Sequence, residues 1–278
     1  MSIELRPADP SEIGQLGLLG AYVYGGAFGD GEDNYQAQST RAEWTLCAFD
    51  GPRMVASYAT IPFTMRAQGQ PMSMGGVSSV GTLPEYRRRG LVRAITTRAF
   101  EEMREANQPI ASLWASQAAI YQRYGYAQAS VLRRYTIDTV DIRMLEEAPA
   151  SIEVSRAGQA EVFDEIRDVY RRFVADRMGS LHRSKVLWQG NTFNDIPSEG
   201  PVHVAVARNG SGNAIGYMVY TLRGGRRDHG SRDQEIIIRD TAWLDIGAYR
   251  ALWEYMARHD LVGRVGAATY QRMTQRRN

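Results

Sequence analysis

The feature that most restricts the fold is a change of period at Gly90. Up to that point the stretch MGGVSSVGTL (residues 74–83) reads as a strand. From Gly90 to about Gln108, Leu91, Ile95, Ala99 and Met103 recur every four residues, with Val92 and Phe100 beside them. Glu101, Glu102, Arg104 and Glu105 fall mostly on the other side, so this is an amphipathic helix with one buried face. IASLWAS (residues 110–116) follows as a short, buried-looking strand. A strand, a helix and a further strand make a crossover, which predicts an α/β class with a mixed sheet. The joint itself carries Arg87, Arg88 and Arg89 side by side. Like charges repel, so fold stability alone does not account for them.

The flanking segments extend this pattern. A short alternating strand opens the chain, and Asp9, Pro10 and Ser11 supply capping chemistry for a helix through about Tyr24. Gly25 to Asn34 is a glycine-rich acidic loop. Residues 44–67 read as two strands joined at Asp50-Gly51, a strong hairpin signal. SQAAIYQRY is a short helix ended by Gly125, and YAQASVLRRYTI returns to strand, giving the order β-α-β-β-β-α-β-α-β.

APAS, around Pro149, reads as a linker, so the expected domains are residues 1–148 and 149–278. The second unit shows a helix over AEVFDEIRDVYRRFVADR and two strands around Asn209-Gly210-Ser211-Gly212. A strand over EIIIRDTAWLD, a helix over AYRALWEYMARHD and a last strand at LVGRV complete it. It repeats the strand-then-helix theme without a glycine-arginine joint.

With 33 Lys+Arg against 31 Asp+Glu, the formal charge of +2 is too balanced to make nucleic acid the main partner. The aromatic residues near the arginines are also not interleaved with them as a stacking surface requires. Cys47 is the single cysteine, which excludes an intrachain disulfide and a thiolate metal cluster. His182, His203, His229 and His259 show no metal spacing and are assigned structural or surface roles, so no metal is expected. No window approaches the length of a membrane span, and the N-terminus lacks signal-peptide character. A cytoplasmic protein without a membrane partner is the expectation.

A strand-to-helix loop presents backbone N–H groups at the positive end of the helix dipole, an arrangement that binds phosphate oxygens. Gly90 would let the backbone approach a ligand, and Arg87, Arg88 and Arg89 add charge to the same rim. The loop is neither a Walker loop nor a dinucleotide fingerprint, since the required residues and glycine spacing are missing. Taken by itself, it reads equally as a solvated basic turn.

VGTLPEYRRRGLVRAI resembles the cofactor-binding motif of the Gcn5-related N-acetyltransferases (GNAT), with its Arg/Gln-x-x-Gly-x-Gly/Ala core. SLWASQAAIYQRYGYAQAS resembles the motif that follows it. The likeness is strongest to the "enhanced intracellular survival" acetyltransferases and their actinobacterial relatives. It continues weakly through VYRRF, VLW and YRALWEYM. It implies a GNAT acyltransferase fold followed by a second, degenerate, non-catalytic GNAT-like domain.

The resemblance further implies an acetyl-CoA-dependent N-acetyltransferase. Its pyrophosphate would lie on Arg87, Arg88, Arg89, Gly90, Leu91, Val92 and Arg93. Val80, Gly81 and Thr82 would bond the pantetheine arm like an added strand. One N–H there would polarise the acetyl carbonyl. Transfer would be direct attack by a primary amine, and Tyr126 matches the family's general acid. Without the motif, Tyr126 reads as a packing aromatic after a helix-ending glycine. Aminoglycoside-like compounds, polyamines or a lysine side chain are the implied acceptors, and a homo-oligomer is a further expectation.

The family's proteins end in a third, sterol-carrier-like domain whose terminal carboxylate serves as general base. This chain stops at Asn278, so a water chain, Glu85 or the Asn278 carboxylate stand as candidates for that role. Gln117 replaces the family's usual glutamate. Asp30, Glu32 and Asp33 read either as attracting a cationic acceptor or as a solvated loop. Trp44 and Tyr24 read as core packing in preference to cleft lining. Arg226, Arg227 and Asp228 read as a hairpin turn. The rival to the enzyme is a catalytically inactive acyl-CoA-binding or regulatory module.

Overall fold

The computed structural model describes residues 3–25, 40–194, 196, 198–224 and 232–272. By its contacts the chain forms two compact units. The first comprises Met1–Ala127 with Met178–His182, and the second Gln128–Arg177 with Arg183–Asn278.

Among the described residues, the first unit holds a five-stranded sheet in the order β1-β2-β3-β4-β5. The strands are β1 (Glu4–Arg6), β2 (Cys47–Asp50), β3 (Arg53–Ala67), β4 (Gln70–Thr82) and β5 (Ile110–Leu113). Neighbours are antiparallel except β4 and β5, which run parallel and are joined across helix α2 (Leu91–Glu105). That is the crossover expected from the change of period. Ile95, Ala99 and Met103 of α2 are buried against Val55, Tyr58 and Val77 of the sheet.

Helix α1 (Ile13–Tyr24) packs Leu16 and Leu19 with Phe49 and Met54. Its entry is set by Pro10–Glu12, a 3₁₀ turn closed by a capping box between Asp9 and Glu12. Arg6 clamps the Glu12 carboxylate with two hydrogen bonds, at 2.7 and 2.8 Å. The β2–β3 turn places Gly51 at φ +60, as the Asp50-Gly51 signal requires. A second hairpin, between β3 and β4, turns at Gln68 and Gly69, both at positive φ. The returning segment Met178–His182 bonds to β3 through Gly179 N to Arg66 O and His182 N to Thr64 O.

The second unit holds a six-stranded sheet in the order β6-β11-β10-β9-β8-β7. These strands are β6 (Ser130–Asp138), β7 (Glu153–Ala157), β8 (Val202–Arg208), β9 (Ala214–Arg223), β10 (Gln234–Trp243) and β11 (Val262–Arg272). Helix α4 (Gln159–Val174) buries Val162, Ile166 and Val169 in one core, with Trp188 and Tyr217. Helix α5 (Ile246–Ala257) buries Ala248, Leu252 and Met256 in a second core. Strands β10 and β11 are parallel and flank α5 in sequence, so the strand-helix-strand theme is repeated.

The boundary differs from the linker at Pro149. Residues 128–148 belong to the second unit because β6 pairs with β11 along its whole length, from Ser130↔Arg272 to Asp138↔Arg264. Nine backbone pairs outweigh the linker-like composition of APAS. Among the described residues, no helix is long and apolar enough to cross a membrane.

Candidate functional site

Strand β4 is irregular where it leaves β5. The two strands pair only from Met74↔Ile110 to Val77↔Leu113. Beyond Val77, the β5-facing edge of β4 has no strand partner among the described residues. On its other edge the register with β3 jumps from Ala59↔Ser78 to Ser57↔Gly81. Ser79 and Val80 therefore oppose Tyr58 alone, which is a β-bulge. Ser79 sits at φ +52, a conformation that a non-glycine residue adopts at a cost.

Neighbouring groups hold the bulge in place. Ser57 Oγ donates to Ser79 O at 2.7 Å, and Tyr24 Oη donates to Val80 O at 2.6 Å. Bulges re-aim backbone groups next to functional sites. One signal in the sequence could have revealed it. Val77 and Val80 are three apart, which breaks the period of two.

Gly81, just after the bulge, is fixed by packing. A Cβ there would lie 2.5 Å from Leu19 Cδ2 of α1. Leu19 is itself buried and cannot swing into solvent. Gly81→Ala is therefore expected to destabilise the protein by about 1–3 kcal/mol through overpacking. A thermal melt checks this, and an unchanged midpoint would show that α1 shifts freely.

The turn that follows is built from Pro84–Tyr86, a 3₁₀ turn anchored by Tyr86 Oη donating to Asp50 at 2.7 Å. The three arginines diverge from it. Arg87 Nε donates back to Thr82 O at 3.1 Å, and the Arg89 guanidinium lies 4.8 Å from the centre of the Tyr86 ring. Arg88 takes φ +62 and is exposed. Among the described residues, no carboxylate lies within ion-pair distance of Arg87, Arg88, Arg89 or Arg93. Glu85 is paired instead with Arg53, at 2.8 Å.

Helix α2 then starts at Gly90, with φ +80, no side-chain cap and no acidic residue in its first turn. Open space surrounds the position where a Cβ would stand. Its glycine is thus required by backbone conformation in this structure. The N–H groups of Leu91, Val92 and Arg93 have no intrahelical acceptor, since Ala94 N makes the first helical bond, to Gly90 O. Three N–H donors without an intrahelical acceptor, the start of a helix dipole and three exposed arginines are thus close together in the chain. Helix starts of this kind attract anions in general.

The corresponding helix of the second unit is capped by a carboxylate. Helix α5 begins at Asp245, whose carboxylate accepts from Ala248 N at 2.8 Å. An acidic side chain thus occupies the start of that helix, whereas Gly90 leaves α2 without a side-chain cap.

Tyr126 follows Gly125 (φ +86), which ends the short helix α3 (Ala118–Gln122). Its ring lies 5.9 Å from Phe100 of α2 and 5.8 Å from Tyr121. It thus belongs to the same core as α2 and the middle of β3. Its Oη is buried and makes no hydrogen bond among the described residues. Burial holds this phenol above the ordinary value of 10, and Tyr58 draws it partway back. It is therefore protonated at neutral pH. Tyr121 beside it is pushed up to about 12, chiefly by burial.

Other singled-out residues have different surroundings. Cys47 is fully buried in β2 and its thiol is pushed up to about 11 by burial, which leaves it inert as a nucleophile. The Glu85 carboxyl is held below its usual value, first by a backbone hydrogen bond and then by Arg53, and it lies beside the arginine turn. Gln117 stands in extended conformation before α3 without capping it. Trp44 is half-buried, 5.0 Å from the Arg41 guanidinium. His203 and His259 pack on Tyr220, and His182 pairs through its backbone with β3. Among the described residues, no group of His, Cys, Asp and Glu could hold a metal ion. Asp30, Glu32, Asp33, Arg226, Arg227, Asp228, His229 and Asn278 lie outside the described residues.

Two family profiles, each of a GNAT acetyltransferase domain, match residues 4–129 and 179–274. The chain belongs to the GNAT family. An uncharacterized N-acetyltransferase of Streptomyces coelicolor is 30% identical over 203 residues, covering 71% of this chain and 48% of that protein. The N-acetyltransferase Eis of Mycobacterium tuberculosis is 34% identical over 119 residues, covering 41% of this chain and 29% of Eis. The crystal structure of Eis1 from Mycobacterium abscessus matches 96% of this chain and 65% of its own, at a TM-score of 0.77 and 20% identity. This GNAT chain thus spans about half the length of the Streptomyces relative. It carries the fold twice, in two mixed sheets.

Proposed function

We propose that the first unit is an acetyl-CoA-dependent N-acetyltransferase that acylates a primary amine by direct attack. The observation that carries this reading is the uncapped start of α2 next to the unpaired edge of β4. Together they offer a phosphate cradle and a strand edge without a strand partner in one continuous stretch. The N–H groups of Leu91, Val92 and Arg93, Gly90 and the arginines Arg87, Arg88, Arg89 and Arg93 suit a pyrophosphate. Val80, Gly81 and Thr82 suit an extended pantetheine arm, bonded as an added strand. An N–H at the bulge suits the acetyl carbonyl oxygen, where negative charge develops during attack.

Tyr126 is protonated at neutral pH, so it suits proton donation to the departing thiolate. The amine supplies the nucleophile, which agrees with the inert Cys47 thiol. Glu85 is poorly placed as general base, because it is tied to Arg53 beside the phosphate cradle. A water chain serves that role better. The second unit is proposed as a non-catalytic GNAT-like domain, since Asp245 occupies the start of α5. Aminoglycosides, polyamines and lysine side chains are the proposed acceptor classes.

A thiol-release assay with acetyl-CoA and a panel of such amines tests the reading. Turnover above the hydrolysis background with at least one amine is expected. Tight CoA binding with no turnover for any amine would favour an inactive acyl-CoA-binding module instead.

A further inference from the structure

Two buried phenols in the first unit lack partners. Tyr58 of β3 is 2% exposed, and its Oη, like that of Tyr126, makes no hydrogen bond among the described residues. An unpaired buried hydroxyl is costly, and natural folds satisfy nearly all of them. Both rings belong to one core cluster, between α2 and the sheet. Tyr58 is also the single residue that faces the Ser79–Val80 bulge. Tyr58 thus opposes the backbone proposed to meet the thioester and shares a core with the side chain proposed to protonate its sulfur.

We propose that Tyr58 is a positioning residue for Tyr126, its hydroxyl donating to the Tyr126 oxygen and stabilising the phenolate left once Tyr126 has given up its proton. This rests on the assignment of Tyr126 as proton donor. In the balanced step the amine nitrogen bonds to the acetyl carbon and the carbon–sulfur bond breaks. The Tyr126 proton passes to sulfur, giving the free thiol. The proton lost from the amine nitrogen returns to Tyr126 through water. During that interval Tyr126 carries a negative charge in a buried setting, where a charge-assisted hydrogen bond has its greatest effect.

The surroundings support this. The groups that act on Tyr58, Tyr121 and Tyr126 are burial and other phenols, namely those of Tyr24, Tyr58, Tyr121, Tyr124 and Tyr126. No carboxylate or cation among the described residues competes for the Tyr126 oxygen. Tyr58 and Tyr126 each act on the other's phenol. Catalytic hydrogen bonds are often poorly aligned without substrate and tighten as charge develops, which fits two hydroxyls of one core that make no hydrogen bond among the described residues.

The test combines Tyr58→Phe with a fluorinated tyrosine at position 126, whose intrinsically lower pKa brings its titration into the range of absorbance measurements. Tyr58→Phe keeps the ring and its packing. With the natural Tyr126, it is expected to lower kcat by about tenfold to a hundredfold while leaving the KM for acetyl-CoA unchanged. With the fluorinated residue, it is expected to move the titration of position 126 to higher pH, since the donor that favours the charged form is gone. A fluorinated tyrosine at position 58 is a stronger donor and should move that of Tyr126 to lower pH, which a purely packing role would not do. If Tyr126→Phe inactivates the enzyme but neither substitution at 58 alters kcat or the titration, the inference is overturned and the proton-donor reading survives. If Tyr126→Phe retains full activity, the reading beneath it fails, whichever way the titration moves.

Discussion

Tyr126→Phe is expected to lower kcat by about 10²- to 10⁴-fold, equivalent to about 3–5 kcal/mol of transition-state stabilisation. CoA affinity and thermal stability should change little. The substitution removes one oxygen and keeps the ring that packs on Phe100 and Tyr121. That oxygen makes no hydrogen bond among the described residues, so the resting fold loses no bond with it. Burial favours the neutral phenol, and its loss is therefore felt only when a proton must move. Steady-state kinetics on the variant, beside a CoA titration, check this. A variant with kcat within a few-fold of the parent would return Tyr126 to a packing role and leave the thiolate to be protonated by solvent.

The sequence made the scaffold of this site readable because strong local signals agree with one another there. Period four from Leu91 to Met103 defined α2, Asp50-Gly51 defined a hairpin, and Gly90 marked the start of the helix. The element order of the first nine segments follows from those signals. What remained hidden depends on partners distant in sequence. β6 reads as the last strand of the first unit until its pairing with β11, more than a hundred residues later, is known. Residue types near APAS carry no information about that register.

The same holds within the site. The bulge at Ser79–Val80 exists because Tyr58 alone opposes two residues, which depends on the β3–β4 register. The need for glycine at position 81 comes from Leu19 of α1. Tyr58 stands in ASYAT, where nothing local distinguishes it from an ordinary strand aromatic. The contrast between the two units was only partly legible. Absence of a glycine-arginine joint before α5 is visible in the residues, but capping by Asp245 requires its φ/ψ and its bond to Ala248 N.

Replacing Arg88 and Arg89 together by alanine is expected to weaken CoA by at least a hundredfold. Each lost charge-assisted contact to a phosphate is worth about 1.5–3 kcal/mol, before any coupling between the two. A CoA fragment that lacks the phosphates should bind the variant and the parent alike. The comparison isolates the pyrophosphate, because both ligands share the pantetheine arm and its contacts to β4.

The fold should tolerate the change. Arg88 is exposed, and Arg89 contributes an exposed contact over Tyr86 worth about 0.5–1 kcal/mol. The three helix N–H donors survive in the variant, so affinity falls without vanishing. Raising the salt concentration should narrow the gap between parent and variant, since exposed charges are screened over about 10 Å at 0.1 M. An equal loss for both ligands would mean that the turn shapes the β4 edge instead of binding phosphate. The crowding of Arg87, Arg88 and Arg89 would then have no anion to relieve it. The observed divergence, with Arg87 on Thr82 and Arg89 on Tyr86, would be the whole of its explanation.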